Sequence, residues 1–383
     1  MTGQGTAPTS PERPATEVDR RFMAAAIRYA QRHVGRTATN PSVATLIVRD
    51  DGAGPRIVGR GVTAIGGRPH AETGALAEAG ELARGATAYV TLEPCAHHGR
   101  TPPCAEALVT AGITRVVSAA ADPDPRVDGR GHAILRAGGL SVTPRVMAAE
   151  AAAPISGYLT RHGAGRPEIL LKMALSRDGR IGIRGGGQVK ITGAIADAQT
   201  HLARARHDTI LIGAGTAQED DPRLDCRLPG MADRSPNRIV LDPRLRTPPD
   251  LTIARTAAET PTLIATLASA DPERRAALAR QGVQFIACEA DPETGRIALP
   301  ELLEDLAATG VASVLVEGGA ETGASFLDSD LVDRLILVQG PVEIGEEGVR
   351  APIDVAAARS RFRLVREYRF GDDHWYEFER RAA

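Results

Sequence analysis

Two short motifs that carry metal-binding side chains constrain this chain more than any other feature. One is His70-Ala71-Glu72, and the other is Pro94-Cys95 followed by Cys104. Tetrahedral zinc accepts imidazole and thiolate ligands, and three protein ligands leave one position open for water, as in catalytic zinc sites. The motifs therefore predict a zinc ion bound by His70, Cys95 and Cys104.

Glu72 adds a proton carrier to this predicted site. Zinc lowers the pKa of the water that it binds to about 7, but expelling ammonia also needs a group that moves protons to the leaving nitrogen. Residues two apart point to nearly opposite sides of a helix, so His70 and Glu72 can share a site only at a helix start. The loop 66–69, followed by the Ala-, Leu- and Glu-rich residues 71–83, indicates such a start. The pattern is typical of a zinc-dependent amine hydrolase in which Glu72 is catalytic.

The second motif joins a predicted strand to a predicted helix. Residues 88–92 are typical of a buried strand, and Pro102-Pro103 precedes a helix over 105–111. The dipoles at helix starts then favour the two thiolates. A structural zinc with His97 or His98 as fourth ligand is the alternative, but it leaves Glu72 without a role.

Length and charge narrow the class of protein. A chain of 383 residues is longer than one hydrophobic core usually serves, so two domains are expected. The net charge of −2 argues against a nucleic-acid partner, which would need a basic surface. No segment reaches the ~20 continuous apolar residues of a membrane span. Four cysteines, two of them assigned to metal, suggest a reducing, cytoplasmic setting without disulfides.

Strands and helices alternate on both sides of a division near residues 147–166. The first half alternates as an α/β/α layered domain does, and a new alternation begins at Ile169. Met147 to Pro154 and Arg161 to Pro167 read as the linker. We therefore predict a first domain over 17–150 and a second over 166–383, after a flexible tail over 1–16.

Two glycine-bearing loops follow predicted strands in the second half. They are Gly213-Ala214-Gly215-Thr216 and the segment from Glu317 to Gly323. Glycine lets backbone amides approach phosphate oxygens, and a following helix adds a favourable dipole. For either loop alone, a glycine that merely turns the chain is the simpler explanation.

The string from Thr91 to Cys104, TLEPCAHHGRTPPC, resembles the zinc motif of the bifunctional riboflavin-biosynthesis enzymes. It has eight residues between the cysteines, where nucleobase deaminases usually have two. Asn40-Pro41 and the residues from Asp122 to Gly131 match the same family, although Ala44 replaces its usual glycine. The resemblance implies a cytidine-deaminase-like α/β/α domain that deaminates a diaminopyrimidine ribosyl phosphate. Asn40 would then contact the pyrimidine, although Asn40-Pro41 taken alone reads as a turn; His97, His98 and Arg100 bring donors and charge that suit a phosphorylated substrate.

Residues 172 to about 345 resemble the reductase domain of the same enzymes, which has a dihydrofolate-reductase-like α/β fold and uses NADPH. The matching pieces include Lys172 to Ser176, the two glycine loops and the segment Asp220 to Leu224. The resemblance assigns the following residues to NADPH: Ala174, Thr216, Asp220, Gly319, Ala320, Glu321, Thr322, Gly323, Ala324 and Ser325. It assigns these to the ribosyl phosphate substrate: Arg204, Leu224, Arg227 and Glu317. Lys190 stands at one further cofactor position and Gln188 at one further substrate position. Without the resemblance, Arg204 reads as a solvated helix face and Arg227 as a loop charge.

Gln188 and Lys190 depart from the family, which shows Ser-x-Trp-Ile-Thr where this chain has Gln188-Val189-Lys190-Ile191-Thr192. The aromatic ring expected beside the nicotinamide is absent, and Lys190 is expected to offer a charge to the cofactor instead. A deaminase with an impaired reductase half is therefore an alternative, as are a nucleic-acid-editing deaminase and a binding module with a vestigial metal site. We expect a homo-oligomer, a dimer or tetramer, with no nucleic-acid or membrane partner.

Overall fold

The chain forms two units in a computed structural model that describes residues 14–99 and 102–381. Contacts within the chain divide it between Ala164 and Gly165. The predicted tail therefore lies mostly outside the described residues, as does Arg100. Among the residues that the structure describes, no helix is both long and apolar enough to cross a membrane.

A five-stranded sheet forms the centre of the first unit, in the order β2-β1-β3-β4-β5. Its strands are β1 Ala44–Arg49, β2 Arg56–Val62, β3 Thr87–Leu92, β4 Arg115–Ala120 and β5 Ser141–Thr143. β1 is antiparallel to β2 and β3, whereas β3, β4 and β5 are parallel. The helices are α1 Glu17–Ala30, α2 Ala71–Ala79, α3 Cys104–Thr110, α4 Arg130–Ala137, α5 Ala148–Ala152 and α6 Ser156–Ala164.

Two glycines of β2 bring α2 unusually close to the sheet. A Cβ atom at Gly59 would lie 2.2 Å from the Ala75 carbonyl oxygen, and one at Gly61 would lie 1.9 Å from that of Ala71. The two glycines are two residues apart, so they share one face of the strand. Ala71, Ala75 and Ala79 are buried on the facing side of the helix. This contact between small residues sets the height of α2, and hence of His70 and Glu72, above the sheet.

A nine-stranded sheet forms the second unit, in the order β11-β10-β9-β8-β12-β6-β13-β16-β15. The strands are β6 Glu168–Leu175, β7 Arg180–Ile183, β8 Thr209–Gly213, β9 Asn237–Leu241, β10 Thr262–Leu267, β11 Gln284–Cys288, β12 Ser313–Val316, β13 Arg334–Gln339, β14 Gly348–Arg350, β15 Phe362–Phe370 and β16 Asp373–Arg380. The strands from β11 to β13 in that order are all parallel. β16 is antiparallel to β13, and β15 is antiparallel to β16. β7 and β14 form a separate pair.

Helices cover both faces of this second sheet. They are α7 Ala194–Arg204, α8 Ala214–Asp220, α9 Thr252–Arg255, α10 Pro272–Ala279, α11 Leu299–Ala308, α12 Ala320–Asp328 and α13 Val355–Arg361. Ile169 and Leu171 belong to one buried cluster and Leu170 to another. Alternate residues of a strand point to opposite faces, so the sheet separates two apolar layers. The α/β prediction is confirmed.

The structure differs from the linker prediction. Residues 148–164 are largely helical and belong with the first unit, because Ala151 and Ile155 are buried in its core. The sequence pattern also did not predict β2 or the β15–β16 hairpin. β15 is rich in arginine and largely exposed, so it lacks the apolar alternation that identifies a half-buried strand.

Candidate active sites

Three ligand-type side chains converge in the first unit. His70 precedes α2, Cys95 follows β3, and Cys104 is the first residue of α3. The His70 Nδ1 atom lies 3.7 Å from the Cys95 Sγ atom and 3.4 Å from the Cys104 Sγ atom. All three donor atoms lie within 4.8 Å of one another. One nitrogen and two sulfurs at this separation fit a tetrahedral zinc ion with an open position.

The two other histidines of the motif do not join this cluster among the described residues. The ligand group contains His70, Cys95 and Cys104 alone. The imidazole of His98 faces outward and lies 3.5 Å from Glu106. The geometry therefore favours three protein ligands over the four of a structural zinc site.

Hydrogen bonds prepare Cys95 as a thiolate. The hydrogen bond from the Cys104 thiol is the main cause that lowers the pKa of Cys95, to about 4. The backbone N–H of Cys104, at the start of α3, also donates to the Cys95 Sγ atom at 3.2 Å. The same pair raises the pKa of Cys104, since its proton is held by Cys95. An amide from a helix start beside a thiolate is the arrangement that the sequence indicated.

Glu72 is buried beside these ligands and has little access to water. Its exposed fraction is 4%. Burial, followed by the charge of the Cys95 thiolate, raises the pKa of Glu72 to about 7. A carboxyl group with a pKa near neutrality accepts and releases protons with similar ease, which suits a general acid–base residue.

Glu93, which the sequence reading did not single out, attaches the Cys95 segment to α4. Its two carboxylate oxygens accept the backbone N–H groups of Gly129 at 3.2 Å and His132 at 3.1 Å. A Cβ atom at Gly131 would lie 2.0 Å from the Pro94 carbonyl oxygen. The family motif from Asp122 to Gly131 could have indicated this contact, because a glycine is required where two backbone segments meet.

Asp122 is a second residue that gains a partner only in three dimensions. The Tyr158 hydroxyl, on α6, donates to its carboxylate at 3.0 and 3.2 Å from the two oxygens. Burial raises the pKa of Asp122 to about 6. Asp122 follows β4, which pairs in parallel with β3, so it lies at the same sheet edge as Cys95. Asn40 is half-buried in the loop before β1, close to Gly67.

The two glycine loops of the second unit lie side by side. β8 and β12 are parallel neighbours, and a glycine precedes the helix that follows each strand, Gly213 before α8 and Gly319 before α12. The Gly319 N–H donates to the Thr216 Oγ1 atom at 3.1 Å, which ties the loops together. A glycine N-cap has no side chain to occupy the first amides of α12, so this edge fits the diphosphate of a dinucleotide such as NADPH.

The remaining residues assigned to NADPH are partly half-buried and partly exposed. Ala174, on β6, and most of the 319–325 segment are half-buried at this edge, whereas Gly323 packs against Pro352 and Met173. Asp220 ends α8, and Lys190 is exposed.

Arg204 and Glu317, both assigned to substrate, contact each other. The Arg204 guanidinium donates to both Glu317 oxygens, at 2.8 and 2.7 Å. Burial acts to raise the pKa of Glu317, but Arg204 and then Lys172 outweigh it and lower that pKa. The pair is half-buried and bidentate, so Glu317 holds the Arg204 guanidinium in place.

The other residues assigned to substrate differ in their exposure to solvent. Arg227 is half-exposed and contacts Asp225 at 2.5 Å. Leu224 is buried, and its φ is 54°. Gln188 is exposed in a loop that contains Gly185 and Gly187.

Known proteins match both units. Residues 16–120 match the family described as "Cytidine and deoxycytidylate deaminase zinc-binding region", and residues 167–376 match the "RibD C-terminal domain". The riboflavin biosynthesis protein RibD of Bacillus amyloliquefaciens is 39% identical over 86% of this chain and 86% of its own length. The RibD of Escherichia coli is 37% identical over 86% of this chain and 89% of its own.

Solved structures agree over nearly the whole chain. Acinetobacter baumannii RibD superposes with a TM-score of 0.83 at 34% identity, covering 95% of this chain and 99% of that one. A Thermotoga maritima protein described as a diaminohydroxyphosphoribosylaminopyrimidine deaminase/5-amino-6-(5-phosphoribosylamino)uracil reductase gives 0.81 at 29% identity, covering 94% and 98%. Since both units and their order match at this level, the chain belongs to the RibD family of bifunctional riboflavin-biosynthesis enzymes, which join a zinc-dependent deaminase to an NADPH-dependent reductase.

Proposed function

We propose that the chain deaminates 2,5-diamino-6-(5-phosphoribosylamino)pyrimidin-4(3H)-one and then reduces the ribosyl group of the product to ribityl. The observation that carries the first step is the convergence of His70, Cys95 and Cys104 beside the buried Glu72. The tied glycine loops of the second unit support the other step. We assign the deaminase to residues 17–150, together with the helices up to Ala164 that pack on them, and the reductase to residues 166–383.

In the deaminase, the chain holds the metal and moves protons. His70, Cys95 and Cys104 are the proposed ligands, and zinc held by them would activate water for attack on the ring carbon that carries the 2-amino group. Glu72 takes a proton from the attacking water and returns it to the leaving nitrogen, so that ammonia departs as the ring gains oxygen. Asn40 offers its amide to the pyrimidine edge.

In the reductase, the chain positions two reactants. NADPH bound there would supply a hydride to the anomeric carbon of the opened ribosylamine, and a proton would complete the reduction. The residues proposed to contact the cofactor are Ala174, Lys190, Thr216, Asp220 and 319–325. Those proposed to contact the substrate are Gln188, Arg204, Leu224, Arg227 and Glu317. Arg227, which is half-exposed, is the guanidinium best placed to reach a phosphate.

The deaminase assignment separates metal binding from proton transfer. Glu72→Gln should keep its zinc and lose deamination by about 10²- to 10⁴-fold, because it removes the proton carrier alone. Cys95→Ser should lose both deamination and zinc. Zinc content by plasma emission spectroscopy and ammonia release are measured on both variants and on the unchanged chain. Equal zinc loss in the two variants, or ammonia release by Glu72→Gln at the normal rate, would contradict the assignment.

We also propose a cytoplasmic location and self-association into a dimer or tetramer. All four cysteines lie within the described residues and none forms a disulfide, which suits a reducing compartment. β15 forms an edge of the large sheet, where a second copy could add its own strand. Light scattering of the purified chain measures the association, and a monomer at micromolar concentration would contradict it.

A further inference from the structure

We propose that Arg244 and Arg246 select NADPH over NADH by binding the phosphate on the 2′-oxygen of the adenosine ribose. Both arginines lie in the loop that follows β9. The inference rests on the proposed reductase function and adds the residues that distinguish the two cofactors.

The order of the strands places the adenosine end of the cofactor near this loop. In the sheet, β9, β8, β12 and β6 are consecutive neighbours, and the glycine loops that fit the diphosphate follow β8 and β12. The segment from Gln188 to Thr192 is proposed to adjoin the nicotinamide. It packs against the residue that follows β13, since a Cβ atom at Gly340 would lie 2.0 Å from the Ile191 carbonyl oxygen. The nicotinamide therefore lies on the β6–β13 side of the diphosphate, and the adenosine extends to the β9 side.

The register of the strands brings the loop next to the cofactor edge. Leu241, the last residue of β9, pairs with Gly213, the last residue of β8. Residues from Asp242 onward therefore run beside Ala214 to Thr216. The Gln218 side-chain amide, on α8, donates to the Arg246 carbonyl oxygen at 2.6 Å and joins the two segments directly.

The loop has a fixed shape, with its charges on the outside. The fully buried Asp242 carboxylate accepts the backbone N–H and the hydroxyl of Thr247, each at 2.7 Å. Leu245 is buried at a φ of 51°, which turns the chain inward between the two arginines. Arg244 and Arg246 are both exposed. Among residues 14–99 and 102–381, neither guanidinium has an ion-pair partner.

The chemistry of this loop suits a phosphate better than a ribose hydroxyl. In Rossmann-type folds, enzymes that prefer NADH use a carboxylate to accept the ribose 2′-hydroxyl, whereas a nearby arginine accommodates a 2′-phosphate, and the same chemistry applies to a loop after a strand here. Here the strand-end carboxylate of Asp242 is buried and bonded to Thr247, so it is turned away from a ligand. Two free guanidinium groups remain, and each can form charge-assisted, bidentate bonds to phosphate oxygens.

The test compares two adenosine ligands that differ in the 2′-phosphate. Adenosine 2′,5′-bisphosphate and adenosine 5′-monophosphate are titrated calorimetrically into the full chain, into Arg244→Ala and Arg246→Ala, and into the double variant. We expect each substitution to weaken binding of the bisphosphate by about 10- to 100-fold, the range for a hydrogen-bonded charge. Binding of the monophosphate should change little. The kcat/KM ratio for NADPH over NADH should fall in parallel.

Arg280→Ala is the matched control. Arg280 is an exposed arginine at the end of α10. This helix runs from the carboxyl end of β10 to the start of β11, so Arg280 lies near the amino ends of the strands, away from the proposed cofactor site. It should leave both affinities unchanged. Variants that keep the unchanged chain's preference for the bisphosphate would overturn the inference while leaving the reductase proposal intact, and so would loss of that preference in Lys190→Ala alone. A chain that neither binds the bisphosphate nor oxidises NADPH would instead refute the reductase proposal.

Discussion

A buried carboxylate in α1 makes the strongest prediction about stability. Asp19 is fully buried and receives two hydrogen bonds from Arg115, at 2.8 and 2.9 Å, and one from the Tyr89 hydroxyl at 2.9 Å. It also closes a capping box with Thr16 at the start of α1. The side chain therefore joins the first helix to β3 and β4. Asp19→Asn keeps its shape and removes its charge.

The pKa of Asp19 sets the size of the effect. Burial acts to raise the pKa of Asp19, but the hydrogen bonds from Arg115, Thr16 and Tyr89 outweigh it and lower that pKa from 3.8 to about 2. A shift of this size corresponds to about 2 kcal/mol of unfolding free energy supplied by the ionised form. Because the folded pKa is depressed, this stability is present above pH 4 and is lost as the pH falls towards 2.

Peptide-resolved hydrogen exchange measures this prediction within the first unit. Asp19→Asn should speed exchange of the slowest β3 amides by about 30-fold at pH 7, which is the rate equivalent of about 2 kcal/mol. The free-energy difference from the unchanged chain should shrink to about half near pH 3, so the difference in exchange rate should fall to about 5-fold. Fluorescence of Trp375, the single tryptophan, reports on the second unit and should show an unchanged urea midpoint.

Glu17→Gln is the control for this experiment, because Glu17 lies exposed in the first turn of the same helix. It should change the exchange rates by less than about threefold, since an exposed charge at a helix start contributes little. If both substitutions have equal effects, or if the effect of Asp19→Asn does not depend on pH, the reasoning about the buried carboxylate is wrong.

Two further predictions concern the deaminase site. Tyr158→Phe removes a hydroxyl that donates to the Asp122 carboxylate and lowers its pKa. Ammonia release should therefore fall by about 10-fold, and the acid limb of its pH profile should move to higher pH. NADPH oxidation with deaminated substrate should stay constant, and a matched loss of both activities would indicate misfolding instead. Gly131→Ala places a Cβ atom against the Pro94 carbonyl oxygen and should lower zinc content and ammonia release, whereas Gly163→Ala, which meets open space, should change neither. Retention of full zinc content by Gly131→Ala would show that this contact does not position Cys95.

The proposed ligand set could be predicted from the sequence because its signals are local. His70 and Glu72 stand at a helix start marked by glycine and proline, and Cys95 and Cys104 flank a turn between a strand and a helix. Helix starts, strand ends and residue chemistry are properties of a few consecutive residues. The same holds for the glycine loops, whose positions after β8 and β12 follow from the apolar strands before them.

Tertiary structure decided how these pieces meet. The closeness of α2 to the sheet depends on Gly59 and Gly61, the support of the Cys95 segment on Glu93, and the hydrogen bond to Asp122 on Tyr158. The partners in the last contact are 36 residues apart in the chain. No pattern of neighbouring residues encodes such a contact.

The sequence by itself determined the α/β class, the order of the two activities and the type of each ligand. Only the folded chain decided that residues 148–164 are helical rather than a linker, that Arg204 is held by Glu317, and that the loop carrying Arg244 follows a strand paired with β8. The physical reason is that strand order and register set these distances. Both depend on burial of apolar surface across the whole sheet rather than on any one segment.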